Sequence, residues 1–333
     1  MKRWQIWAGI AVSALFLYIA LGSLQLDQVW IGIKSAELVW LLPGIGIYLV
    51  SILIRAWRWQ NLLAPLDRIP FPKSVAYVSI GYMGNNIFPA RAGELLRAYV
   101  LRQKQNIPIT ASLMTIITER VLDGVVLIGF IFVNISVIAS AQTSSDFNKL
   151  MDGIALWGSV LFFGAFILFL IAAFFPQQIL VFLTALSRKI LPQKIQAKAI
   201  NGFNKILDGL RSLKSPKNVI VVILQTVLIW LLETGKYWFV MQAFPARVGF
   251  PALMVMNGIV NLASTVPSAP GNVGTFDAPG IAFLSFIGVD PEVAAAYTLT
   301  LHAALWLPIT LIGAFYFFRE GFNWKNRSWE NKK

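Results

Sequence analysis

Long apolar runs alternate with short charged stretches along this chain. Stretches free of Asp, Glu, Lys and Arg cover 4–26, 124–145, 153–187, 248–276 and 293–318. A helix needs about 20 largely apolar residues to cross a bilayer, and these runs reach that length. Short segments that alternate apolar and polar positions, the mark of an outer-membrane barrel, are not the pattern. The expectation is an all-α polytopic membrane protein with spanning helices near 4–24, 38–60, 111–140, 154–176, 217–243 and 292–318. Two further apolar regions, 74–101 and 251–288, are interrupted by Pro and Gly. Each reads either as a re-entrant hairpin of two short helices or as a pair of thin spans.

The order span, span, broken region, span occurs twice, over 4–140 and 154–318, within one transmembrane domain, 1–333. If the first copy starts on one face, the second starts on the other. That is an inverted repeat, whose broken helices meet near the midplane and form a binding site. The breaks share a spacing: Pro89 to Gly93 in the first, Pro267 to Gly271 in the second.

Composition agrees with the pattern. The 333 residues are 57% hydrophobic and 13% charged, about half the charged share of a soluble domain. The net charge of +13 fits Lys- and Arg-rich cytoplasmic loops better than a nucleic-acid partner. Arg55, Arg58, Arg68 and Lys73 are read as following the second span, and Arg102 and Lys104 as following the first broken region. The loop 177–217 carries eight Lys or Arg against Asp208 alone, and the tail after 318 is basic as well. Loops 25–37 and 141–153 are nearly neutral. Basic and neutral loops thus alternate. The expectation is a multi-pass protein of the cytoplasmic (inner) membrane with both termini in the cytoplasm. Loop 177–217 mixes apolar and basic positions at helical spacing, as amphipathic helices on an anionic leaflet do. The first run, preceded by Lys2 and Arg3, reads as a retained anchor. There is no cysteine, which excludes disulfide and thiolate-metal chemistry.

The candidate chemistry lies at the breaks. In the first, Pro89 and Gly93 are expected to end one half-helix and allow a turn, with a second half-helix starting near Glu94. Its N-terminus offers unpaired N–H groups and the positive dipole end. Arg91 precedes it and Arg97 lies one turn inside; Arg binds phosphate bidentately. Asn86 adds a polar group, and Glu94 balances charge or faces a cationic headgroup. The second break, 264–280, lacks a cation but offers Ser268, Asn272, Thr275 and Asp277 among Pro267, Pro270, Gly271 and Gly274. It has no G-K-[ST] run and is not an ATP loop. The plainer reading of Arg91, Glu94 and Arg97 is a surface hairpin with ordinary cytoplasmic charges.

Ionisable residues also stand inside expected spans, where they are functional by default. These are Glu119, Arg120 and Asp123 on one, and Glu233 with Lys236 at i,i+3 on another. Each set also reads as a structural ion pair. The single histidine, His302, reads as a packed polar residue rather than a proton carrier.

The runs "GNNIFPARAGELLRAYVL", "TERVLDGVVL" and "PSAPGNVGTFDA" resemble the membrane region of lysylphosphatidylglycerol synthases, part of a broad flippase-like group. The resemblance spans nearly the whole chain, in the family's order. It implies transfer of a phospholipid or lipid-linked polar group across the bilayer. The cytosolic aminoacyl-transfer domain of the full synthases has no counterpart in this sequence, so the synthase activity is not carried over.

The functional expectation is flippase-like, non-ATP-driven translocation of an anionic phospholipid or lipid-linked headgroup. No cofactor, metal or nucleic acid is expected. The alternatives are a membrane enzyme acting on lipid-linked substrates, with Glu119 and Asp123 as its acid and base, and a scaffold for a separate cytosolic synthase. A homo-oligomer stays open.

Overall fold

The structure, a computed structural model, describes residues 3–89, 91–134, 175–190, 215–266 and 268–320, with isolated positions between 160 and 200. The described residues form α-helices without strands. In the first half these are α1 (Arg3–Leu21), α2 (Leu26–Ser35), α3 (Leu41–Leu63), α4 (Phe71–Ile87), α5 (Ala92–Gln105) and α6 (Ile109–Val133). α7 (Pro176–Ile190) and α8 (Pro216–Met241) follow, then α9 (Phe250–Ala263), α10 (Asp277–Phe286) and α11 (Pro291–Arg319). Short 3-10 turns lie at Leu38–Trp40 and Pro270–Asn272.

Proline sets many of the starts. Pro72, Pro216, Pro251 and Pro291 stand in the first turn of α4, α8, α9 and α11. There a missing N–H costs nothing and the fixed φ suits a helix. Asp290 caps α11, its Oδ1 accepting from the N–H groups of Glu292 and Val293.

Three helical stretches, Leu38–Leu63, Lys217–Met241 and Pro291–Arg319, are long and apolar enough to cross a membrane. A fourth candidate is the pair α1 and α2, bent by 87°. α6 is equally long but carries Glu119, Arg120 and Asp123. The chain is a multi-pass membrane protein. The expected span 154–176 and most of the basic loop 177–217 lie outside the described residues.

The neutral loop expected at 25–37 is instead largely α2. Its apolar positions Val29 and Ile33 fall one turn apart and join the core around α9–α11. Asp27 and Lys34 sit at the ends that suit the helix dipole.

α3 runs along α8, α4 along α11, and α6 along α9. α5 folds back on α4 and touches α6, while α10 folds back on α9 and touches α11. When α3–α6 are laid on α8–α11 in order, each of these contacts falls on another of them. Among the described residues two large apolar cores result, one around α9, α10 and the first half of α11, the other around α3, α4 and α5, beside two smaller clusters on α6.

Close approach makes the hairpins. A Cβ on Gly93 would sit 2.0 Å from the Gly81 carbonyl and 2.3 Å from the Asn85 nitrogen. Gly93 lies inside α5, so it is the contact point of α4 and α5 rather than the turn. The turn expected there is made at Arg91, which is left-handed at φ 53°. Pro89 lies in the link between α4 and α5, as read from the sequence.

Candidate functional site

The two breaks face each other across a polar cavity of about 130 Å³. Asn86, at the end of α4, donates to the Trp306 carbonyl (3.2 Å) and to the Thr310 hydroxyl (2.8 Å) on α11. The Trp306 indole N–H returns a bond to the Asn86 carbonyl at 3.3 Å. Gly271, at φ 74°, packs so closely on that indole that a Cβ would meet Trp306 Nε1 at 2.8 Å. Arg91 reaches across the seam and donates to the Ser264 carbonyl, where α9 ends and the second break begins, at 2.9 Å. The sequence placed the breaks apart by 173 residues; the fold joins them.

One wall of the cavity is ionic. Arg55 on α3, Arg91, Arg120 on α6 and Lys236 on α8 line it, against Glu233. Arg55 pairs with Glu233 at 3.2 Å, and Lys236 bonds the other Glu233 oxygen. Arg120 pairs with Glu94 (3.1 Å) and Asp123 (3.4 Å). Among the described residues no carboxylate lies within ion-pair distance of Arg91. Among the described residues it is also the one cation held in a strained, left-handed backbone.

Behind this wall lies a network whose charged members Arg58, Arg97, Glu119 and Asp123 do not line the cavity. Arg58 donates to both oxygens of Asp123, at 2.6 and 3.3 Å, and pairs with Glu119 at 3.5 Å. Arg97 donates to Glu119 at 2.9 Å and stacks on Trp59 at 3.5 Å. The Trp230 indole N–H donates to Asp123 at 3.0 Å. Arg97 therefore lies next to the cavity but is engaged by Glu119, and it does not share an open anion site with Arg91. Arg55 and Arg58 were counted as cytoplasmic charges following a span. Both instead lie within α3, 5% and 1% exposed. Their carboxylate partners stand on α6 and α8, which no local pattern announces.

At the second break, Gly271, Asn272 and Phe276 line the cavity. Ser268, Thr275 and Gly274 do not. The Ser268 carbonyl packs against Gly9 of α1, and Ser13 of α1 accepts from the Ala269 N–H at 2.8 Å. Thr275 bonds the Asn272 carbonyl. Asp277, 1% exposed, accepts from the Gly274 N–H at 2.8 Å and meets His302 Nδ1 at 2.7 Å. Pro270 opens the 3-10 turn, and Pro267 lies outside the described residues.

Residues 6–313 match the family described as the lysylphosphatidylglycerol synthase transmembrane region. The chain belongs to this family. A UPF0104 membrane protein of Methanocaldococcus jannaschii is 25% identical over 314 residues, covering 91% of both chains. Another, of Methanothermobacter thermautotrophicus, is 23% identical, over 87% of this chain and 86% of that protein. A Haloferax volcanii protein named glycosyltransferase AglD is 24% identical over 94% of this chain, which spans about half of that protein (54%).

Within the family's membrane region, the three quoted runs converge. The first supplies Asn86 and Arg91, the second Arg120, the third Asn272. The sequence pattern does not single out Trp230 or Trp306, reads Arg55 as a charge following a span, and reads His302 as a packed polar residue. The available signal was weak: charges or indoles one helical turn from another polar group in otherwise apolar helices.

Proposed function

We propose that this protein carries the anionic headgroup of a phospholipid or lipid-linked molecule across the membrane without nucleotide hydrolysis. The observation that carries the reading is Arg91. It is a cation at the seam of two broken helices, in a polar cavity where the other cations already have carboxylates. Ionisable groups at membrane depth mark substrate paths, and Arg matches phosphate geometry. A volume of 130 Å³ is below the usual range for whole small-molecule ligands, about 300–1,000 Å³. It suits a headgroup whose acyl chains stay in lipid. The paired contacts of α3–α6 and α8–α11 support an inverted repeat, and alternating charge supports cytoplasmic termini in a cytoplasmic membrane.

The test is reconstitution into phosphatidylcholine vesicles with fluorescent phosphatidylglycerol, quenched by an impermeant reductant outside. Fast loss beyond the outer-leaflet half, reduced about tenfold or more in Arg91→Gln as for a lost charged hydrogen bond, supports the reading. Exchange untouched by Arg91→Gln would remove Arg91 from the path. No exchange of phosphatidylglycerol would exclude it as cargo. A lipid-linked sugar phosphate is then the next probe, since one relative is named a glycosyltransferase.

A further inference from the structure

His302, the single histidine of the chain, lines the same cavity. Its Nε2 lies 2.8 Å from the Gly271 carbonyl and its Nδ1 2.7 Å from Asp277 Oδ1. A carbonyl only accepts, so Nε2 carries a hydrogen. An ionised carboxylate also only accepts. Either Nδ1 carries a second hydrogen or the Asp277 carboxyl does. In both cases the pair holds one proton more than a neutral ring beside a carboxylate. The other Asp277 oxygen accepts from the Gly274 N–H, and the Phe276 ring packs on the imidazole with centroids 4.7 Å apart.

We propose that Asp277 and His302 form a proton-binding site that latches the second break onto α11, and that its proton binds together with a phosphate-type anion in the cavity. The proposal deepens the headgroup reading and rests on it for the second ligand. The latch follows from geometry. With the extra proton present, the ring ties α11 at once to Gly271 in the 3-10 turn and to Asp277 at the start of α10. With that proton lost to water, a nitrogen lone pair faces a carboxylate at hydrogen-bond distance. Two acceptors repel, and the break is no longer held on both sides.

The linkage follows from charge. The groups around the imidazole are Asp277 on α10, the Gly271 carbonyl, and the charges that line the cavity from α3, the link before α5, α6 and α8. Those are Arg55, Arg91, Arg120 and Lys236 against Glu233, with the phenols of Tyr48, Tyr82 and Tyr237 between them. Glu233, Glu94 and Asp123 pair with Arg55, Lys236 and Arg120. Among the described residues that leaves Arg91 as the cavity cation without a carboxylate. It disfavours a further positive charge on the ring, and an anion beside Arg91 offsets that cost. By reciprocity the proton then strengthens anion binding by the same factor.

A lone histidine makes the test direct. The full chain, labelled with ¹⁵N-histidine in phosphatidylcholine nanodiscs, gives one imidazole in the NMR spectrum. Its protonation is followed between about pH 5 and 8, where histidine switches, and above. One arm adds inorganic phosphate at constant ionic strength, another replaces part of the lipid by phosphatidylglycerol. The expected result is a doubly protonated ring whose titration midpoint rises by a factor of about five or more in proton affinity with the anion, the low end of typical coupling. Arg91→Gln abolishes that rise while leaving the discs' surface potential unchanged, and Asp277→Asn leaves the ring neutral. A response to phosphatidylglycerol alone assigns the anion to lipid, and a response to both assigns the shared phosphate group. A ring that stays neutral with nitrogen shifts that do not titrate, or a midpoint indifferent to Asp277→Asn, overturns the proton site. A midpoint indifferent to both anions overturns the linkage. The readout is the ring itself, so these failures are separate from a failure of lipid exchange in vesicles.

Discussion

Replacing Asp123 by Ala tests the ionic core. Asp123 is 3% exposed and its main partner, Arg58, 1%. Arg58 would lose hydrogen bonds of 2.6 and 3.3 Å and keep Glu119 at 3.5 Å as its carboxylate and the Thr226 hydroxyl at 2.9 Å. Trp230 loses its acceptor as well. Removing one partner of a buried ion pair costs about 3–5 kcal/mol, which at 1.4 kcal/mol per decade is roughly a 140-fold to few-thousandfold loss in the folded equilibrium. Arg55 and Arg120 keep Glu233 and Glu94, so the damage centres on Arg58. The double variant Arg58→Met with Asp123→Leu removes both charges and fills the space. It is expected to recover most of the loss, because an apolar replacement of a buried pair is often neutral or stabilising. The assay is reversible unfolding in nanodiscs by steric trapping. A cost below about 1 kcal/mol for the single variant, as for exposed pairs, would refute burial of this network. A double variant no better than the single would refute the pairing.

Gly93→Ala pushes a methyl towards the Gly81 carbonyl and the Asn85 amide. Overpacking of this kind costs about 1–3 kcal/mol, so a lower melting temperature with loss of lipid exchange is expected. Arg97→Lys keeps charge but loses the planar stack on Trp59; unfolding assays are expected to show destabilisation, while exchange per folded molecule persists, since Arg97 does not line the cavity. Ser13→Ala removes the bond to the Ala269 N–H, an expected loss of about 1 kcal/mol read in the same unfolding assay. Because the chain has no cysteine, Asn86→Cys with Thr310→Cys introduces a lone pair at the seam. Its oxidation is expected to arrest exchange and its reduction to restore it.

The helices and the breaks were legible because their signals are local. A long uncharged run, a Pro in a first turn, or a Pro–Gly cluster between apolar flanks needs no distant partner to be read. Arg91 was legible for the same reason, standing between Pro89 and an apolar helix. Arg55 and Arg58 were not. Two Arg near the end of an apolar run look like a membrane-flanking pair, and only Glu233 and Asp123, 178 and 65 residues away, make them buried. His302 was underread for the same cause, since Asp277 and Gly271 lie on other elements. Arg97 was legible as a cation near the break, but its stacking on Trp59 and capture by Glu119 depend on α3 and α6. The turn from α1 into α2 escaped notice because an 87° bend needs no change in hydropathy.

The buried arginines of α3 also bear on how the protein is made. α3 leaves the ribosome before either of its counter-ions exists. Each Arg in a spanning helix raises the cost of insertion by about 2.5–3.5 kcal/mol. At about 5–20 residues per second, Asp123 is synthesised roughly 3–13 seconds after Arg58. Glu233 comes roughly 9–36 seconds after Arg55. Through that interval the long side chains must reach toward water at the membrane surface. α3 is thus an early arrival whose anchoring is completed by α6 and then by α8, and a chain interrupted before α8 leaves Arg55 without its Glu233.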